Sequence, residues 1–303
     1  MIDDKNDENK IRFRIFCTNP EQFAAFLRVY DNCRVYVDRI YLDADNVLDD
    51  PESWRKLLID AKSLNPELSL YLSLPQVLRE KDHPYLEQLY FFMTNDPVFE
   101  GILCGNLEGI GFWGEKNEGS EHRFRVIADH NFYLWNRDAY LSWKDQLDGA
   151  CIPLELKEGE ERKLLDSCNL PEKRSFFFDK IIYGYLPMML TANCVAKTDG
   201  DCRALRPEKW RETISIRDRK GVLFPVQTNC RHCFNVIYNS CPLSLHAQME
   251  KWKRNEVGLR MHFTMETAEN TEAILRWFWK NQFDDRNRPF FQYTTGHEKR
   301  GVL

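Results

Sequence analysis

Ten cysteines stand among the 303 residues, and five of them, Cys194, Cys202, Cys230, Cys233 and Cys241, fall within one stretch of fewer than fifty. Thiolates gathered this closely suit zinc or an iron–sulfur cluster, because a soft metal offsets the desolvation cost of each thiolate. Cys230-Arg231-His232-Cys233 is a CxxC knuckle, a spacing that lets two sulfurs face one ion. Cys194 and Cys202, in a glycine-containing loop, could close a site from the other side. The same spacing admits a redox dithiol, although no thioredoxin-type strand-to-helix setting surrounds it, or plain unliganded thiols. Cys241, before Pro242 in a turn, reads as a spare or packing thiol. Cys17, Cys33, Cys104, Cys151 and Cys168 are scattered on or near apolar runs, where a free cysteine is an ordinary small hydrophobe.

A second set of residues able to do chemistry is acidic. Asp43, Glu108, Asp129 and Glu155 each follow a short β-rich run, so all four would stand at the C-terminal ends of parallel strands. There they could ring a cavity, or simply cap the following helices and meet solvent. His130 shares that ambiguity, and His297 could close over a barrel mouth or lie on the surface. Arg217, Arg219 and Lys220 form a basic run that suits an anionic substrate or RNA phosphate, or a solvated strand edge. There is no His-Glu-x-x-His, no Gly-x-Ser-x-Gly and no cysteine in a protease setting.

The elements that must position these groups alternate. Ile11–Cys17 reads as a strand, Pro20–Tyr30 as a helix, Arg34–Leu42 as a strand and Pro51–Leu64 as a helix. Further strands are expected at Leu68–Ser73, Gly101–Cys104, Phe124–Ala128, Ala150–Leu154 and Asp179–Tyr183, with a helix at Tyr85–Thr94. Strands that return after helices favour a parallel sheet, and about seven of them favour a TIM-like β/α barrel over an open doubly wound sheet. No glycine-rich phosphate loop follows the first strand. The expected organisation is a polar N-terminus over 1–10, disordered, a barrel over 11–190 and a smaller cysteine-rich α+β module over 191–303. That module closes with a strand at Arg260–Thr264 and a helix at Thr267–Trp279.

The balance of 42 basic against 47 acidic residues, net −5, argues against a phosphate-neutralising surface, so no DNA partner is expected. No run approaches the roughly 20 apolar residues of a membrane span, and Met1 to Lys10 is unlike a signal peptide, which points to the cytoplasm and to reduced cysteines.

Several blocks resemble the collagenase-like peptidase family, U-type family thirty-two, in its anaerobe-type members. They are Tyr183-Gly184-Tyr185-Leu186-Pro187-Met188-Met189 running into Cys194 and Cys202, and Asp218-Arg219-Lys220-Gly221 followed by Phe224-Pro225-Val226, the CxxC and Ile237-Tyr238-Asn239-Ser240. The tail Tyr293-Thr294-Thr295-Gly296-His297 with Arg300-Gly301-Val302 is similar to the family's closing motif, although Glu298 replaces the usual aromatic. Asp38 to Asp43, Asn106-Leu107-Glu108, Ala128-Asp129, Trp135-Asn136 and Glu155-Leu156 fall where barrel strands of that family end. The resemblance implies a [4Fe–4S] cluster on Cys194, Cys202, Cys230 and Cys233, with zinc as the alternative. It implies oxygen-independent hydroxylation of RNA or of a small aromatic or quinone precursor, while the family name implies a peptidase acting on proteins such as collagen. A non-catalytic, metal-stabilised scaffold is the reading of a different class, and a partner subunit could complete either site.

Overall fold

The computed structural model describes residues 11–31, 35–168, 176–198, 200, 202, 206, 210–252, 257–280, 283 and 285–297. The expected disorder of 1–10, Cys33, Glu298 and Arg300-Gly301-Val302 lie outside the described residues. Seven strands run in parallel: β1 (Arg12–Cys17), β2 (Tyr36–Asp43), β3 (Ser69–Ser73), β4 (Phe99–Cys104), β5 (Arg125–Ala128), β6 (Gly149–Cys151) and β7 (Phe177–Gly184). The chain then leaves the sheet to build a second, four-stranded antiparallel one from β8 (Pro187–Thr191), β9 (Thr213–Arg217), β10 (Leu223–Asn229) and β11 (Phe234–Tyr238), in the order β8-β11-β10-β9. It returns through the short β12 (Leu243–Ser244), and β13 (Gly258–Phe263) slots in parallel between β7 and β1.

That last strand closes an eight-stranded barrel, because β6 also pairs with β7. The boundary expected near residue 190 is therefore corrected: the barrel is discontinuous, and the strand expected in a closing region is its eighth. Every residue of β13 is buried, and it is hydrogen-bonded on both edges, to β7 and to β1.

Helices α1 (Pro20–Tyr30), α2 (Ala44–Asp49), α3 (Pro51–Leu64), α4 (His83–Asn95), α5 (Leu107–Asn117), α6 (Arg137–Trp143), α7 (Glu158–Cys168), the single turn α8 (Val195–Thr198) and α9 (Ala268–Lys280) complete the chain. Side chains at or just beyond strand ends start many of them: Asn19 caps α1, Asp43 caps α2 and Asn106 caps α5, each accepting from a backbone N–H three residues on. Outward strand residues such as Ile15, Ile40, Leu42, Leu70 and Ile102 pack under the helices in one continuous core.

The barrel interior is unusual in its charge. Phe16, Tyr41, Tyr71, Leu103 and Ile127 form an inner apolar layer. Below and beside it the fully buried Asp179 accepts from Arg14 and, at 2.6 Å, from the Tyr41 hydroxyl, with Arg260 Nη1 at 4.0 Å. Arg14 also reaches Asp38 with two bonds of 3.1 Å. Gly258 makes room for it, since a Cβ there would stand 2.3 Å from Arg14 Nε. Arg39 lies 3.6 Å above the Phe177 ring. Matching each buried guanidinium with a carboxylate or an aromatic face is what lets charge sit in so dry a place.

Candidate functional site

The antiparallel sheet lies over the C-terminal ends of the barrel strands as a roof. Its apolar side chains Phe234, Val236 and Tyr238 pack on Val77, Tyr185 and Met265 from the barrel's upper loops. Barrel and roof enclose about 630 Å³ of empty space, open solvent at its mouth included. In β/α barrels this face carries the chemistry.

His262, on β13, lines the cavity from the barrel side. Its ring stacks on Phe16 with centroids 3.9 Å apart and planes 8° from parallel. Burial first, and then the Arg260 guanidinium, push its pKa well below that of an ordinary histidine, so the imidazole is neutral. Its Nδ1 is buried without a hydrogen-bond partner, as are the cavity-lining Asn131 Oδ1 and Thr264 Oγ1. Gly105 permits the placement of Asn131, because a Cβ at Gly105 would stand 1.9 Å from Asn131 Oδ1.

The two cavity carboxylates differ. Burial favours a neutral Asp129, yet Arg260 and then His130, whose Nδ1 is 3.0 Å away, outweigh it and hold Asp129 well below the usual carboxylate range. At Asp43 burial wins: with the nearby charge of Asp45 it raises the pKa despite the Arg211 guanidinium at 2.9 Å. A neutral imidazole, a fixed anion and a carboxylate pulled upward on one wall are the ingredients of general acid–base chemistry.

The roof is clasped to the barrel by charge. Asp45, at the start of α2, accepts from Arg211 at 2.7 Å and Asn229 at 3.0 Å, and lies 3.1 Å from His232 Nε2. His232 Nδ1 lies 3.0 Å from Asp82, so this wholly buried ring bridges two carboxylates. Arg231 pairs with Asp49 and lies over Trp210, and Arg79 donates to the His232 and Cys233 carbonyls. Burial alone would raise the Asp45 pKa, but Arg211 and His232 outweigh it and depress it.

Of the acids expected at strand ends, Asp43 and Asp129 line the cavity. Glu108 sits exposed in the first turn of α5, where it complements the helix dipole. Glu155 is half-buried and bonds the Tyr133 hydroxyl. His297 lines a different cavity, of about 310 Å³, with Leu243 and the buried pair Glu161 and Lys180. Arg217, Arg219 and Lys220 are exposed at the β9–β10 hairpin.

The cysteines behave in two ways. Cys17, Cys104, Cys151 and Cys168 are buried and free, and burial pushes the Cys104 thiol up to about 12, which keeps it inert. Antiparallel pairing brings the exit of β8, the entry of β9 and the β10–β11 turn to one end of the roof, so the connections carrying Cys194, Cys202, Cys230 and Cys233 share that end. Their side chains do not converge. Cys194 Sγ accepts from the Lys197 N–H at 3.3 Å, Cys233 Sγ faces the Cys230 carbonyl at 3.8 Å, and Cys202 is exposed. Among the described residues no three His, Cys, Asp or Glu side chains form a group that could hold a metal ion, so the four thiols as placed do not fit an iron–sulfur cluster or zinc.

His262, Thr264, Asn131, Arg211 and the His232 bridge were not singled out from sequence. One signal was available for the first two: Arg260, His262 and Thr264 alternate with Leu259, Met261 and Phe263, giving a strand with one polar face.

No family model matches the chain, and no curated protein matches it. Among solved structures it is similar to the U32 peptidase Mk0906, at 12% identity and TM-score 0.40 over 58% of this chain and 70% of that one. It is similar to the type I 3-dehydroquinate dehydratase of Clostridium difficile, at 15% identity and TM-score 0.42 over 57% and 76%. The Bacillus cereus spore cortex-lytic enzyme SleL gives 9% identity and TM-score 0.42 over 91% and 75%. Likenesses this distant carry no argument about chemistry. The class, a closed parallel β/α barrel with helices around it, rests on the chain's own strand pairing. Among the described residues no helix is long and apolar enough to cross a membrane.

Proposed function

We propose that the chain is a β/α-barrel enzyme that transfers protons on a small substrate held between barrel and roof. His262 acts as a neutral imidazole that hydrogen-bonds the substrate, and Asp43, lining the same cavity, exchanges the proton. The observation that carries this reading is His262: a buried, uncharged imidazole lining the cavity, with its Nδ1 unpartnered. Asp129 and Arg260 hold the floor beneath it in fixed charge states. The test is turnover of a cellular metabolite extract by wild type and His262→Gln, followed by mass spectrometry. Wild type is expected to convert at least one metabolite about 100-fold faster than the variant, the ordinary worth of a positioned hydrogen-bonding group. No His262-dependent conversion would sink the proposal.

A second reading, a four-cysteine [4Fe–4S] enzyme hydroxylating RNA or a quinone precursor, is favoured by the shared loop end of Cys194, Cys202, Cys230 and Cys233. That end adjoins the cavity through Asn229 and Arg211. It requires the loops to draw together. Iron, zinc and acid-labile sulfide analysis of protein purified anaerobically tests it: iron with matching sulfide supports it, and a single zinc favours a metal-stabilised scaffold. Protein with neither leaves the barrel chemistry alone. Proteolysis, the remaining reading, is tested by casein and gelatin cleavage.

A further inference from the structure

We propose that the cavity takes an uncharged, polyhydroxylated ligand of the saccharide or polyol type. This rests on the cavity being the active site. Charge comes first. The only cation lining it among the described residues is Arg211, and both its Nη atoms are spent, on Asp43 at 2.9 Å and Asp45 at 2.7 Å. Among the described residues no other guanidinium or ammonium lines the cavity to meet a phosphate or carboxylate, and Asp43 and Asp129 would repel one. Nor does the wall attract a cation, since Asp43 is matched by Arg211 and Asp129 by Arg260.

Hydrogen bonding points the same way. Asn131 Oδ1, His262 Nδ1 and Thr264 Oγ1 lack partners in the protein, and each such buried atom costs about 1–3 kcal/mol. A hydroxyl both donates and accepts, so a polyol satisfies an amide oxygen, an imidazole nitrogen and a threonine hydroxyl without bringing charge. All three residues line the cavity.

A stacked aromatic pair on the chain just after the cavity-lining Asn131 is the third observation. Two residues beyond Asn131, Tyr133 holds a left-handed backbone, φ 59°, which is costly for an aromatic residue. Its ring stacks on Trp135 at 5.9 Å and 21°, yet both rings are about half exposed, at 46% and 42%. Glu155 steadies the Tyr133 hydroxyl. An exposed, fixed aromatic face beside a carboxylate receives the C–H face of a sugar ring while hydroxyls at its edge meet the carboxylate.

The experiment is ligand-observed NMR on the full chain with glucose, maltose, cellobiose and glycerol, set against glucose 6-phosphate, glucuronate and adenosine. At least one neutral polyol is expected to bind, the anionic sugars at least about 10-fold more weakly, and Thr264→Val about 5- to 10-fold more weakly for the bound polyol. Thr264→Val folds normally, because that hydroxyl has no partner to lose. Tighter binding of the phosphate or uronate, binding of adenosine alone, no polyol binding, or an unaffected Thr264→Val would each overturn the inference. The two proposals separate: a charged His262 with polyol binding removes only the proton-transfer reading, and a neutral His262 with an anion-only profile removes only this one.

Discussion

His262 owes its neutrality to its neighbours: the strand that places it beside the cavity also places Arg260 two residues earlier, and burial does the rest. This has a consequence for stability. Below about pH 6.5 the unfolded chain binds a proton that the folded histidine refuses, so stability falls as pH falls, by about 1.4 kcal/mol per pH unit, until the folded pKa is reached. Urea denaturation between pH 7 and 5 should show that slope in wild type and a shallower one in His262→Gln. Equal slopes would mean the histidine is charged when folded. Asp179 makes a sterner case. Asp179→Asn leaves Arg14 and Arg260 short of their buried countercharge, and a loss of about 3–5 kcal/mol is expected in the same assay, with unchanged urea dependence.

At the scale of elements, the roof depends on Asp45. Its pKa is depressed in the folded state, so the clasp contributes fully above the ordinary carboxylate value near 3.9 and fades as pH falls through the lower folded value. Asp45→Ala takes one carboxylate from Arg211, Asn229 and His232 together and is expected to cost about 3 kcal/mol. Hydrogen exchange should then quicken in β8 to β11 and stay slow in β1 to β4, whereas uniform quickening would mean that roof and barrel unfold as one unit. Some elements were legible because local signals agreed. α3 spans the expected residues: Asp50 caps it, Pro51 opens it, and Trp54, Leu58 and Ala61 form one buried stripe. β13 was legible as a strand and not as a barrel strand, since the long insertion broke the β/α rhythm that marks its siblings. The end of β7 marks the break, where the sheet hands the chain to the roof.

Across the whole molecule, the site is a joint between two sheets, and this decided what the sequence could show. Asp43 and Asp129 were found because strand ends are local features. Arg211 and His232 were not, because their partners Asp45 and Asp82 lie far away in the chain and meet them only once the roof docks. The CxxC spacing drew the eye to two sulfurs, while the residue between them that the fold buries is His232. The central claim is that the roofed cavity holds a neutral catalytic histidine, and a heteronuclear NMR titration of the His262 ring tests it most directly. The account predicts nitrogen shifts of a neutral imidazole at neutral pH and a titration midpoint well below the usual one near 6.5. A His262 that titrates at or above that midpoint would contradict it.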